Sequence, residues 1–214
     1  MTSIHGLLKW LIFFSFINII FLIFTFLGGV LFGFVPAMSA SIKTIQRELN
    51  QSSPTYRDVA KQFYDFFTSA FIPINLASVI PLLFGIIAIM NINITLGITN
   101  LFGMATFYGS ITVLITTIFV LIHLALLQSI NKTFSVKQMI KLSYIAAFYY
   151  FPLNVLIVFF MILWLQFLLV APGLSLFFGI SVPIFICTVC YSKTKLYASQ
   201  ITTGIGEISF ANKK

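Results

Sequence analysis

The stretch Gly28-Gly29-Val30-Leu31-Phe32-Gly33-Phe34-Val35-Pro36-Ala37-Met38-Ser39-Ala40-Ser41 ends the first long apolar run and leads into the first charged segment. Small residues recur at every fourth position in and just before it, namely Thr25, Gly29, Gly33, Ala37 and Ser41. Residues four apart share one face of a helix, so this spacing predicts a helix-packing seam that a second backbone can approach closely. Pro36 lies inside the pattern and is expected to bend the helix as it leaves the membrane.

The composition indicates a membrane protein. Of the 214 residues, 60% are hydrophobic and only 7% are charged, and the mean hydropathy is +1.09. A soluble domain of this size needs a more polar exterior, so the predicted partner is the lipid bilayer. The net charge of +8 comes from basic residues in short segments between apolar runs, a distribution that indicates membrane topology and not nucleic-acid binding.

Five apolar runs are long enough to cross the hydrocarbon region as helices, which takes about 20 residues. They cover residues 11–34, 66–90, 102–128, 142–168 and 174–191. None shows the alternation of barrel strands, so the predicted fold class is all-α, a polytopic bundle of five transmembrane helices in a single membrane domain over residues 1–214. The first run, of about 24 residues, exceeds the 7–15 of a signal-peptide core and is expected to remain uncleaved.

The distribution of Lys and Arg predicts the orientation of these spans. All but one of the 12 basic residues fall in residues 37–65, in residues 129–141 or after the last span, and five spans place these segments on one side. Lys9 alone falls opposite. The positive-inside rule therefore predicts an outer N-terminus, a cytoplasmic C-terminus and a cytoplasmic helical loop over residues 37–65. Trp10 and Trp164 then lie near the outer boundary, as in an aromatic belt.

Two spans share a short motif, Pro73-Ile74-Asn75 in the second and Pro152-Leu153-Asn154 in the fourth. Pro73 and Pro152 are expected to bend their helices, because proline lacks the N–H that a helix interior uses. Both motifs run in the same direction across the membrane. They suggest a parallel repeat of spans two–three and four–five, with coincidence as the alternative.

Few polar side chains lie within the spans. His123 is the one His, Asp, Glu, Lys or Arg well inside a span, and Asn18, Asn75 and Asn154 are amides there. These four residues either hydrogen-bond between helices or line a polar path for a small neutral solute. The motif Cys187-Thr188-Val189-Cys190 has the spacing of a redox pair or half a zinc site, but no second ligand pair accompanies it, so packing is the favoured interpretation.

The sequence predicts no catalytic, cofactor-binding or metal site. It contains no phosphate-binding glycine loop, no H-E-x-x-H and no nucleophile elbow. The spans hold no paired carboxylates of the kind that proton-driven transporters use. A membrane enzyme is therefore the least favoured class.

The first third of the chain resembles the YesL family of bacterial membrane proteins. The resemblance rests on Gly6-Leu7-Leu8-Lys9-Trp10, Asn18, Gly28-Gly29, Phe32-Gly33-Phe34-Val35-Pro36-Ala37 and Asn75-Leu76. Met38 stands where that family usually has a hydroxyl residue. The resemblance implies a multi-pass protein of the bacterial plasma membrane. Because the activity of that family is not established, it supplies no catalytic residues.

Members of that family are often encoded near oligosaccharide uptake and degradation systems, which implies a partner role. We therefore expect an accessory protein that binds another membrane protein, such as an ABC-type sugar permease, through the small-residue seam and the basic inner helices. The alternative is a small-solute transporter with a midplane site at the bent second and fourth spans.

Overall fold

The computed structural model describes residues 2–50, 55–130 and 134–193, and within them the chain is all-α with no strand. The first half contains α1 (Thr2–Leu27), α2 (Leu31–Asn50), α3 (Tyr56–Thr95) and α4 (Leu101–Ser129). The second half contains α5 (Val136–Tyr149), α6 (Phe151–Val170), a 3₁₀ turn (Pro172–Leu174), α7 (Ser175–Phe178) and α8 (Ser181–Lys193).

Four helices in the described part of the chain are long and apolar enough to cross a membrane, and one bent pair raises the number to five. The four are Leu8–Leu27, Tyr56–Thr95, Leu101–Ser129 and Phe151–Val170. The pair is Pro172–Phe178 with Ser181–Tyr191, bent by 52°. The predicted fold class, a polytopic helix bundle, is therefore confirmed. These helices alone do not show on which side of the membrane either terminus lies.

The first predicted span, residues 11–34, is divided in the structure. Helix α1 ends at Leu27, and the chain reverses before α2 begins at Leu31. Gly29 and Val30 have φ angles of +79° and +43°, and this left-handed region is costly for residues other than glycine. A Cβ on Gly33 would collide with the carbonyl oxygen of Thr25. The glycines therefore permit a tight reversal between two closely packed helices.

The predicted packing seam does not lie along one helix. Its residues are divided among α1 (Thr25), the turn (Gly29) and α2 (Gly33, Ala37, Ser41). The α2 members are buried in the bundle. The reversal also precedes Pro36, which lies inside α2. The expectation of one long helix, bent at Pro36, is therefore wrong, because it treated the Gly-Gly pair as helical surface.

Helix α2 runs back along α1 and occupies the centre of the bundle. Lys9 Nζ lies 3.0 Å from Glu48 Oε1, which joins the beginning of α1 to the end of α2. Helix α2 packs against α1, α3, α4 and α8. Ala37, Ala40 and Ser41 are fully buried, and such small side chains let neighbouring backbones come close.

The Lys9–Glu48 ion pair is incompatible with the prediction that Lys9 and residues 37–65 lie on opposite sides of the membrane. That prediction assumed that each apolar run crosses once and continues outward. The reversal after Leu27 contradicts this assumption, because the chain turns back along α1. Residues 37–65 contain the end of α2 and the beginning of α3, and α2 is buried in the bundle.

Helix α3 begins at Tyr56, with the side chain of Thr55 accepting a hydrogen bond from the Asp58 N–H. In the sequence, Ser53 followed by Pro54 is typical of a helix start, but both residues lie outside the described part of the chain. Pro73 and Pro81 both lie inside α3, which continues past them to Thr95.

The predicted fourth span, residues 142–168, is also divided. Helix α5 ends at Tyr149, and α6 begins at Phe151 with Pro152 in its first turn. At that position the missing proline N–H costs nothing, because the first turn has no intrahelical acceptor for it. Pro152 therefore begins a helix, whereas Pro73 lies within one.

We expect Gly33→Ala to lower the free energy of unfolding by about 2–3 kcal/mol, because the added methyl group must push α1 and α2 apart. Circular dichroism during thermal unfolding in mild detergent measures the change. The matched control is Gly109→Ala in α4, where a Cβ meets nothing within 4 Å. Equal stability of the two variants would contradict the close α1–α2 packing.

Candidate functional site

Asn18 of α1 holds together the break between α7 and α8. Its Nδ2 donates to the carbonyl oxygens of Leu176 at 2.7 Å and Ser175 at 3.4 Å. Its Oδ1 accepts from the N–H groups of Ile180 at 2.9 Å and Ser181 at 3.2 Å. The Asn18 side chain is 1% exposed. One amide thus contacts carbonyls at the beginning of α7 and the N–H groups where α8 begins.

A carboxamide suits this break because it carries both donors and an acceptor. At a helix break, the end of one helix has carbonyl groups without partners and the beginning of the next has N–H groups without partners. The hydrocarbon of the membrane cannot hydrogen-bond to either kind of group. A second side chain supports the same place, since Trp164 Nε1 of α6 donates to the Gly179 carbonyl oxygen at 3.1 Å. Helices α1 and α6 therefore fix the bend from two sides.

A second polar cluster joins α4, α6 and α8. Asn154 Nδ2 donates to the Ala147 carbonyl oxygen at 2.9 Å, which connects the two sides of the α5–α6 break. This bond fixes the orientation of the amide. Asn154 Oδ1 accepts from the Tyr191 hydroxyl and lies 3.2 Å from His123 Nε2. Because an amide oxygen only accepts, the His123 contact requires a proton on Nε2.

The arrangement of this cluster is that of a structural network. His123 is 0% exposed and Asn154 is 2% exposed. The rings of His123 and Tyr150 stack with centroids 6.1 Å apart. Within the described residues, no group of three or more His, Cys, Asp or Glu side chains could hold a metal ion. The polar atoms of Asn154 are used to hold neighbouring helices.

Asn75 lies in a different environment, at an apolar groove where α3 passes the α1–α2 turn. The groove has a volume of about 400 Å³ and is lined by Gly28, Phe32, Phe71, Ile72, Asn75, Leu76 and Val79. Neither Nδ2 nor Oδ1 of Asn75 has a hydrogen-bond partner, although both atoms are shielded from solvent. An unpaired buried amide is costly, so this group is incomplete in the isolated chain.

The four residues of the predicted polar path thus lie in three places. His123 and Asn154 are in contact, while Asn18 is at the other end of α8, about 15 Å of helix away from Tyr191. Asn75 lines its own groove. The two Pro-x-Asn motifs also differ, because Asn154 is paired and Asn75 is not. The structure therefore does not bring the four together into one site.

Tyr191 and the break at Gly179 are two features of these clusters that the sequence did not predict. The sequence did contain a signal for the break, because Gly179 lies in the predicted fifth span, with Pro172 just before that span and Pro183 within it. Tyr191 gave no signal, because a tyrosine at the end of an apolar run is typical of a membrane boundary. Cys187 is buried and Cys190 half-buried, and both thiols are free.

A family model described as a protein of unknown function, DUF624, matches residues 14–92. The match covers much of α1, all of α2 and most of α3, and it includes Asn18, the Gly28–Ser41 stretch and Asn75. No curated protein and no solved structure matches the chain.

We expect Asn18→Leu to lower the free energy of unfolding by about 3 kcal/mol or more. The Leu176 carbonyl and the N–H groups of Ile180 and Ser181 would lose their hydrogen bonds to Asn18 in an apolar environment. Unfolding of the chain in detergent measures the change in the free energy of unfolding. Hydrogen exchange should also be faster at the backbone amides of Ile180 and Ser181. The control is Asn93→Leu, whose amide bonds only to Ile89 of its own helix. Unchanged exchange in Asn18→Leu would show that Asn18 does not hold the break.

Proposed function

We propose that this chain is an accessory component of a bacterial membrane system and acts by binding another membrane protein. The observation that carries this proposal is the use of its buried amides. Asn18 and Asn154 are paired with backbone groups of neighbouring helices and hold the bundle. Asn75 is unpaired at an apolar groove on the surface of the described bundle. This distribution suits a scaffold with an outward contact surface.

Short connections on the described chain support the same role. Helices α3 and α4 are joined by residues 96–100, and α6 is followed directly by the 3₁₀ turn Pro172–Leu174. Neither connection could form a binding domain for a large ligand. An activity on such a ligand would therefore reside in the partner.

The proposed partner is a permease for oligosaccharides. This choice rests on the resemblance of the first third of the chain to the YesL family, whose members are often encoded beside oligosaccharide uptake systems. The match to a family of unknown function over residues 14–92 is compatible with it but names no activity. The proposed location is the bacterial plasma membrane.

A small-solute transporter is the second candidate, because the α7–α8 pair is bent by 52° at a break. Many transporters place the free ends of broken helices at their substrate site. Here the facing backbone groups of the break are already bonded to Asn18. A solute would have to displace that amide, so the break favours a structural role.

The two functions predict different results in vesicles. Purified chain alone, reconstituted without a permease, is expected to give no uptake of a labelled oligosaccharide above protein-free vesicles. In cells, deletion of the chain should lower uptake through the oligosaccharide permease and leave uptake through an amino-acid permease unchanged. The permease should also co-purify with the chain in mild detergent. Saturable uptake by the chain alone would overturn the accessory function.

A further inference from the structure

We propose that the groove at Asn75 binds one transmembrane helix of the partner, and that this helix presents a carboxamide side chain, from Asn or Gln, to the Asn75 amide. This inference rests on the proposed function, since it names the surface and the chemistry through which the chain binds a membrane protein.

Asn75 lies deep in an uncharged part of α3. No charged residue occurs between Phe66 and Thr95, and Asn75 is nine positions after Phe66, or about 14 Å along the helix. Helix α3 is one of the helices suited to cross the membrane. At that depth neither water nor a lipid tail can pair with the amide.

The groove has the form expected of a surface that receives a helix. One wall is α3, where Ile72 and Leu76, four positions apart, are 69% and 57% exposed. The other wall is the beginning of α2 at Phe32, and Gly28 lines the groove without a side chain. The volume of about 400 Å³ is many times that of a water molecule, about 30 Å³. A row of side chains from one neighbouring helix can fill it.

The chemistry of Asn75 selects the side chain on that helix. Asn75 Nδ2 and Oδ1 both lack hydrogen-bond partners. A second carboxamide offers a carbonyl oxygen to accept from Nδ2 and an NH₂ group to donate to Oδ1, both in one plane. A hydroxyl group is short and satisfies one of the two atoms at a time. A charged group would pay a large desolvation cost in hydrocarbon. A purely apolar helix would leave the amide unpaired.

The concave shape argues against a second copy of this chain as the occupant. A two-fold axis would bring two grooves face to face, with the exposed Ile72 and Leu76 of each copy meeting before the shielded Asn75 amides. A lipid tail could fill the volume but would not pair with the amide. Both occupants are outcomes that the following experiment distinguishes.

The test uses the full-length chain in phosphatidylcholine vesicles, with a donor fluorophore on an N-terminal tag. Two acceptor-labelled host peptides are compared, each a Leu/Ala helix of about 20 residues with lysine ends, one with Asn at its centre and one with Leu there. Energy transfer should show the Asn peptide binding about three- to tenfold more tightly than the Leu peptide, the range expected for one interhelical hydrogen-bonded pair.

Variants of α3 test the role of the amide. Asn75→Leu should lose the preference for the Asn peptide and keep its fold, because replacing an unpaired amide by an apolar group of similar size is neutral or stabilising. Thermal unfolding checks that fold. Asn75→Gln should retain part of the preference. Asn93→Leu, on the same helix with an amide bonded to Ile89, is the matched control and should behave like the natural chain.

Each contrary result has a definite meaning. Equal binding of the two peptides by the natural chain overturns the proposal and leaves a lipid tail as the occupant. Energy transfer between copies of the chain that disappears in Asn75→Leu makes a second copy the occupant and also overturns it. Undiminished permease co-purification with Asn75→Leu refutes the groove while the accessory function stands. Oligosaccharide uptake by the chain alone refutes that function whatever the peptides do.

Discussion

The backbone of this bundle depends on pairing its own polar groups, because the surrounding hydrocarbon provides no partners. Unbroken helices meet this requirement internally. The breaks at α5–α6 and α7–α8 do not, and at each of them an asparagine from within the bundle supplies the missing partner. Asn18 does so from a helix more than 150 positions away, so the far end of the chain depends on α1.

The reversal at Gly28–Val30 determines where α2 packs in the bundle. It turns the chain back into the bundle after the first apolar run. Helix α2 then packs against α1, α3, α4 and α8. A helix with Lys43, Arg47 and Glu48 is a poor candidate for a bundle centre by hydropathy alone. Small residues on its inner faces permit it, and the Lys9–Glu48 pair neutralises a carboxylate that is almost buried.

The sequence predicted the fold class, because long uncharged apolar runs have few stable alternatives in a membrane. Of the five predicted spans, only the second and third each fall within a single helix, α3 and α4. It did not predict the direction of α2. The spacing of small residues from Thr25 to Ser41 fits a straight helix and a tight hairpin equally well. The left-handed backbone at Gly29 and Val30 distinguishes the two. The polar residues were likewise identifiable from the sequence, but their pairing depends on contacts between distant segments such as Asn18 and Ile180.

Asn18, Asn154 and Asn75 carry the same side chain within apolar helices, and the structure separates them by what each amide meets. Asn18 and Asn154 lie beside helix breaks. Their amides hydrogen-bond to backbone groups that the breaks leave without helical partners, and these bonds stabilise the fold of the chain. Asn75 lies within a helix that continues past it, so its own backbone does not require the side chain. Keeping an unpaired amide there costs stability, because an apolar residue would fit the same position. The proposed partner helix would recover that cost by pairing with the amide. This is the reason to propose recognition for Asn75 and a folding role for Asn18 and Asn154.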